Sequence, residues 1–172
     1  MILEIRNRQR SQPVDLKQLQ AITRQVMEHE LQLTQVELGI HLVGASEMAQ
    51  VNEQYLQHTG STDVITFDHS AAPVTKPTVP TPIHGELFIC VADAEQQAIE
   101  FRTSWQEEVV RYVIHGILHL CGYDDLQPAK RRRMKREESR LLKAVARTMN
   151  LSRVGRRSTK KRRIPARRSS VR

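Results

Sequence analysis

The sequence is poor in cysteine. Only Cys90 and Cys121 are present, far apart in the chain, so there is no disulfide framework, and this usage suits a reducing, cytoplasmic compartment. It also lacks any apolar run of membrane-spanning length, and Met1-Ile2-Leu3-Glu4 turns charged too early for a signal peptide. No internal repeat is visible. These absences argue against a disulfide-stapled secreted scaffold and a membrane partner. A further lack is local: residues 151–172 contain ten Lys or Arg and no Asp or Glu.

What is present fits one compact domain, since 172 residues with 39% hydrophobic content can bury a real core. The net charge of +8 belongs to the end of the chain: without residues 151–172 there remain 17 basic against 19 acidic groups, a net of −2. The expected organisation is therefore a near-neutral domain over residues 1–150 and a disordered basic tail over 151–172. Such a tail points to a polyanionic partner, RNA or the ribosome before a membrane.

The pattern along the chain predicts β-α-β-α-β-β-α-α-α. Ile2 to Arg6 alternates as a strand, and Pro13 precedes a helical pattern through Leu16, Leu19, Ile22, Val26 and Met27 that ends near Glu30 or Leu31. Val36, Leu38, Ile40 and Leu42 alternate as a second strand, and Ser46 is a candidate cap for a helix with Met48, Val51, Tyr55 and Leu56 on one side. Thr62–Phe67 and Gly85–Val91 read as strands, separated by a loop over residues 69–84 that Pro73, Pro77, Pro80 and Pro82 keep irregular. Asp93 with Gln96 marks a helix to about Phe101. After the next helix, Pro128 opens a last one with a Met134, Glu138, Leu141, Leu142, Val145 stripe and a basic face from Lys130 to Arg136. The expected fold class is α+β, a small four-stranded mixed sheet packed against several helices.

The stretch that carries chemistry is His115-Gly116-Ile117-Leu118-His119-Leu120-Cys121-Gly122-Tyr123-Asp124-Asp125. Ser104 and Glu107 form a capping-box start, and Val109, Val110, Val113, Ile114, Ile117, Leu118 and Leu120 make the helix apolar on most sides, hence central and buried. His115 and His119 lie one turn apart on one face, Gly122 ends the helix in the left-handed conformation, and Asp125 follows. Two core histidines bonded to carbonyls show the same bare spacing. The full HxxxHxxGxxD string also offers three ligands to one metal ion and leaves a fourth position open, as hydrolytic zinc sites require. Cys121 sits about 200° around the helix from His119 and reads as a packing residue.

That string closely resembles the HGxLHLxGYDH signature of the bacterial rRNA maturation factors, the YbeY endoribonuclease family. It departs only at the last position, where Asp125 replaces a third histidine. Thr62–Phe67 resembles the family's T-[DN]-V-L-[ST]-F segment, with Asn52 and Tyr55 in matching places, and Gly85–Val91 resembles its G-[DE]-I-x-I-S segment. The resemblance covers residues 2–150. It implies a central metal-binding helix backed against the sheet, with the open metal position in a cleft beside Thr62–Phe67 and the proline loop. It also implies one zinc ion held by His115, His119 and Asp125, with other divalent ions admitted by the harder oxygen donor. The implied activity is single-strand-specific, metal-dependent cleavage of rRNA precursor in 3′-end maturation and ribosome quality control, with the small ribosomal subunit and its proteins as partners. Leu56 stands where the family carries an arginine that contacts RNA.

Gly116 follows the first histidine where HExxH peptidases carry their glutamate base, so a zincin-like metallopeptidase is the weaker alternative. A non-catalytic, zinc-containing ribosome-assembly factor is the other. For the catalytic reading, the candidates are His115, with Glu86 and His58 as proton-handling groups; Glu86 is also a candidate acceptor that orients a metal-bound imidazole.

Overall fold

The computed structural model describes residues 1–71 and 81–155. Residues 72–80, expected above as part of a proline loop beside the cleft, and residues 156–172 of the expected tail lie outside the described residues. Four strands, β1 (Ile2–Asn7), β2 (Val36–Val43), β3 (Val64–Asp68) and β4 (Ile83–Cys90), form one sheet in the order β1-β2-β4-β3. The β1–β2 and β2–β4 pairs are parallel and β3–β4 is antiparallel, so the sheet is mixed, as expected. β4 starts two residues before the predicted Gly85, which shortens the loop at that end.

Strand alternation sorts the two faces. Leu38, Ile40, Leu42, Leu87 and Ile89 turn to a large core shared with the helices α1 (Leu16–Arg24), α4 (Trp105–Leu120) and α5 (Pro128–Thr148). Val43, Ile65 and Cys90 turn the other way and form a smaller core with Met48 of α2 (Ala45–Leu56). The Asp15 carboxylate caps α1 by accepting from the backbone N–H groups of Lys17 and Gln18, and the helix continues into a π-helical turn over Gln25–Glu30. Two predicted starts differ. α2 begins at Ala45 with Gly44 as its cap, so Ser46 lies inside the first turn. α3 (Val91–Phe101) leaves β4 directly, two residues before Asp93, whose carboxylate accepts from the Ser61 hydroxyl at 2.6 Å.

α4 is the central helix. The Ser104 hydroxyl accepts from the backbone N–H of Glu107, as the capping motif predicts, while the Glu107 side chain turns to Arg111 at 3.3 Å. Its apolar side lies close against β4 because Gly116 has no side chain: a Cβ there would stand 2.5 Å from Leu87 Cδ2. One turn on, Gly85 admits the end of α4, since its own Cβ would collide with the Phe67 carbonyl and Leu120 Cδ2. These two approaches fix the height of the helix above the sheet.

The domain does not end at residue 150. Leu151–Val154 forms a 3-10 turn, Val154 is fully buried, and Val14 forms a bridge with Gly155. The Asp15 N–H donates to the Val154 carbonyl at 2.7 Å, so this turn closes over the start of α1. Among the described residues, packing thus continues past the expected boundary at 150/151 as far as Gly155.

Candidate metal centre and cleft

The polar side of α4 is a stripe of Glu108, Arg111, His115 and His119, spaced so that all four project along one edge of the helix. Past Leu120 the chain turns: the Gly122 N–H donates to the His119 carbonyl and the Tyr123 N–H to the Leu118 carbonyl, with Gly122 at φ +85°. This Schellman-like end swings Asp125 back beneath the histidines. Nε2 of His115 is 3.0 Å from Nε2 of His119 and 3.9 Å from Asp125 Oδ2. The donor atoms of all three residues lie within 4.8 Å of one another. Donors bonded to one tetrahedral zinc at about 2.0–2.1 Å stand roughly 3.3 Å apart. The observed spread brackets that value.

The other ring nitrogens decide the tautomers. His115 Nδ1 faces Glu138 Oε2 at 3.1 Å, and His119 Nδ1 faces the Tyr123 carbonyl at 3.1 Å. Burial alone pushes the Glu138 carboxyl upward, but hydrogen bonds from His115 and Arg111 outweigh it and hold the group below its usual range. An ionised carboxylate and a carbonyl can only accept, so each Nδ1 carries a hydrogen, and each ring in its neutral form presents a lone pair at Nε2. Burial, followed by the neighbouring His115, lowers the His119 pKa and favours its neutral form. Two lone pairs and an anionic oxygen turned toward one point repel each other unless a cation sits among them. The donor set therefore fits a single divalent ion.

Glu138 was the residue missed from this site. Its other oxygen accepts from Arg111 at 3.2 Å, and Arg111 also pairs with Glu108 at 3.1 Å and Glu107 at 3.3 Å. The signal was legible: a glutamate inside an apolar helix stripe, and an arginine four residues before His115 in an otherwise apolar run. Cys121 is buried away from the donors, and burial pushes its thiol up to about 12.

The two proton-handling candidates fall elsewhere. Glu86 points to the sheet face opposite α4, because its neighbours Gly85 and Leu87 take the helix side. There it bonds His41 Nε2 at 3.0 Å and His69 Nε2 at 3.2 Å, and the His41 bond holds its pKa down. It orients neither imidazole of the α4 pair. His58 lies in the exposed turn after α2, beyond the left-handed Gln57, and does not line the cleft. Leu56 is exposed nearby, while Tyr55 packs edge-on against Phe67 with ring centroids 5.1 Å apart.

The donors open into a cleft of about 750 Å³. One wall comes from Asp63 and Val64 at the start of β3, with Gln97 and Phe101 of α3; the other is Arg131, Met134, Lys135 and Ser139 of α5. The cleft thus lies beside the start of β3, and among the described residues of the proline loop none lines it.

The fold has a solved counterpart in a solution structure of a Thermotoga maritima protein. That likeness has a TM-score of 0.57 at 24% identity and covers 84% of this chain and 89% of that one. Among curated proteins, the Endoribonuclease YbeY of Salinibacter ruber is 37% identical over 109 residues, 63% of this chain and 69% of its own length. The Endoribonuclease YbeY of Parabacteroides distasonis is 43% identical over 96 residues, 56% of this chain and 62% of its own length. These alignments thus span about two thirds of each relative. The family model described as Endoribonuclease YbeY matches residues 4–146, a span that holds all three donors, Arg111 and Glu138, and the chain belongs to that family.

Proposed function

We propose that this protein is a metal-dependent endoribonuclease that cleaves single-stranded RNA, acting on rRNA precursor at the small ribosomal subunit in the cytoplasm. The observation that carries the reading is the convergence of two Nε2 lone pairs and the Asp125 carboxylate, with both Nδ1 atoms tied to obligate acceptors. When bound, a divalent ion such as zinc supplies a Lewis acid for a phosphate oxygen and lowers the pKa of a coordinated water. The chain's own groups do the rest. His115 and His119 offer their Nε2 atoms, Glu138 and the Tyr123 carbonyl keep their rings from turning, and Asp125 adds an oxygen donor. Arg111 balances the Glu138 and Glu108 charges in the cleft wall, so that wall is not a block of bare anions. Among the described residues no helix is long and apolar enough to cross a membrane.

The packing also weakens the peptidase alternative. Position 116 faces Leu87 in the core, so the missing glutamate is replaced by a residue that the helix–sheet contact requires.

The test is cleavage of a single-stranded rRNA-precursor fragment by metal-loaded full-length protein, beside His115→Ala and a chelator-treated sample. Cleavage that the variant and the chelator both abolish, with RNA binding retained by the variant, supports the reading. Equal cleavage by wild type and variant overturns it.

A further inference from the structure

We propose that the first turns of α5 form a docking track for single-stranded RNA, in which Arg131 and Lys135 hold backbone phosphates and Phe101, across the cleft, stacks a base. This rests on the nuclease reading above and names the residues by which this particular chain holds its substrate.

The charge of α5 runs against helix physics. Its N-terminal turns carry Lys130, Arg131, Arg132, Arg133, Lys135 and Arg136, with no acid in the first turn. The positive end of the helix dipole disfavours cations there, so folding supplies no reason for the block. Local pairing accounts for part of it. Lys130 meets Asp124 at 2.9 Å, and the Arg133 guanidinium lies 5.5 Å from the Tyr123 ring centroid. Among the described residues, Arg131, Arg132, Lys135 and Arg136 form no ion pair with a carboxylate, whereas Arg140, farther along, is held by Glu137 and Glu30.

Two of these cations belong to the cleft. Arg131 and Lys135 line it together with His115, His119 and Asp125. They are one helical turn apart, about 6 Å along the axis at 1.5 Å per residue. Arg131 is also anchored: its Nε donates to the Asp125 carbonyl at 2.9 Å, which leaves its terminal nitrogens for a ligand. The opposite wall holds Phe101, 60% exposed at the end of α3 in a chain with few aromatic residues. An exposed ring facing a basic ridge across a groove is the arrangement that tracks a single strand, with phosphates on the cations and an unstacked base on the ring. A duplex keeps its bases inside the stack and has none to offer Phe101.

The experiment measures equilibrium binding of a labelled single-stranded RNA to the full-length protein over a range of salt concentrations. A chelator is present throughout, so that neither cleavage nor metal enters. Arg131→Ala/Lys135→Ala should lower the slope of log K against log salt by about 1.4, at roughly 0.7 per phosphate contact. Lys135→Ala alone, which leaves the Arg131–Asp125 bond intact, should lower it by about 0.7. Phe101→Ala should weaken binding at least about fivefold with an unchanged slope. Lys143→Ala/Arg147→Ala, on the distal half of α5 outside the cleft, should change neither. Slopes that superimpose on wild type, or an equal fall with the distal pair, would overturn the track. RNA that binds this way but is not cut in the metal-loaded assay would refute the nuclease reading and leave the track standing.

Discussion

Replacing Glu138 by glutamine removes one charge from the candidate centre and almost no volume. The carboxylate accepts from His115 at 3.1 Å and from Arg111 at 3.2 Å, whereas an amide has one accepting oxygen and a donating nitrogen. If the oxygen stays with Arg111, the amide nitrogen faces His115 Nδ1 donor to donor. The ring then relieves the clash by moving its hydrogen to Nε2, the atom that must bind the ion. If the oxygen stays with His115, the tautomer survives but the ring loses an anionic partner and with it some basicity. Loss of such a supporting partner costs about 10–100-fold in metal affinity, or about 1.4–2.7 kcal/mol at 1.36 kcal/mol per decade. The first orientation takes the loss to the upper end of that range and the second to the lower. The metal-free variant should also lose about 1.5–3 kcal/mol of folding stability with its charge-assisted bonds. Zinc affinity is read by competition with a chromophoric chelator, and stability by urea unfolding in the presence of EDTA. A folded Glu138→Gln protein with wild-type zinc affinity would refute the argument that Glu138 sets the His115 tautomer.

Asp125→His should bind zinc at least as tightly as wild type, because it exchanges an oxygen for the nitrogen that zinc favours; loss of zinc in the same competition assay would refute that exchange, and unchanged zinc affinity in Asp125→Ala would show that Asp125 is not a ligand. The depressed His119 pKa lets metal affinity persist below the ordinary imidazole range. For the metal-free protein the sign follows: stability is fully present above the unfolded value near 6.5 and falls as pH drops through the lowered folded value, which unfolding midpoints at successive pH values will show. Gly85→Ala should destabilise by about 1–3 kcal/mol, since its Cβ meets a backbone carbonyl that cannot move aside like a side-chain tip, and thermal unfolding will detect it. Truncation after Asn150 should cost about 1.5–3 kcal/mol through the buried Val154, whereas truncation after Gly155 removes none of the described packing; equal melting temperatures for the two would contradict this.

Most of the centre was legible because it is local. Ser104, the apolar run, the histidines and Gly122 belong to one helix and its end, where spacing translates directly into geometry. Glu138 was harder, since its meeting with His115 depends on how α5 lies across α4. Even so, an acid among Met134, Leu141, Leu142 and Val145 was a visible anomaly. Glu86 was misplaced for a simpler reason: strand alternation opposes it to Leu87, and Leu87 is the residue that packs on α4. The packing of residues 151–155 was not legible, because averaging over a basic segment hides one apolar residue, Val154, that is buried in the core. His58 follows two residues after Leu56, and the turn after α2 leaves it in solvent.

The distribution of the centre along the chain has a consequence for how it is assembled. His115, His119, Asp125, Glu138 and Arg111 all lie between Trp105 and Glu138, within α4, one short turn and the first half of α5. Bringing them together closes only a short loop, so little chain entropy opposes it beyond that of folding one helical hairpin. The cleft's far wall comes from β3 and α3, which precede this hairpin in the chain. An ion held by His115, His119 and Asp125 would therefore pin the turn after α4 back onto that helix, and its presence should be read most strongly as slowed amide exchange from Cys121 to Asp125, with β1 at the far edge of the sheet least affected.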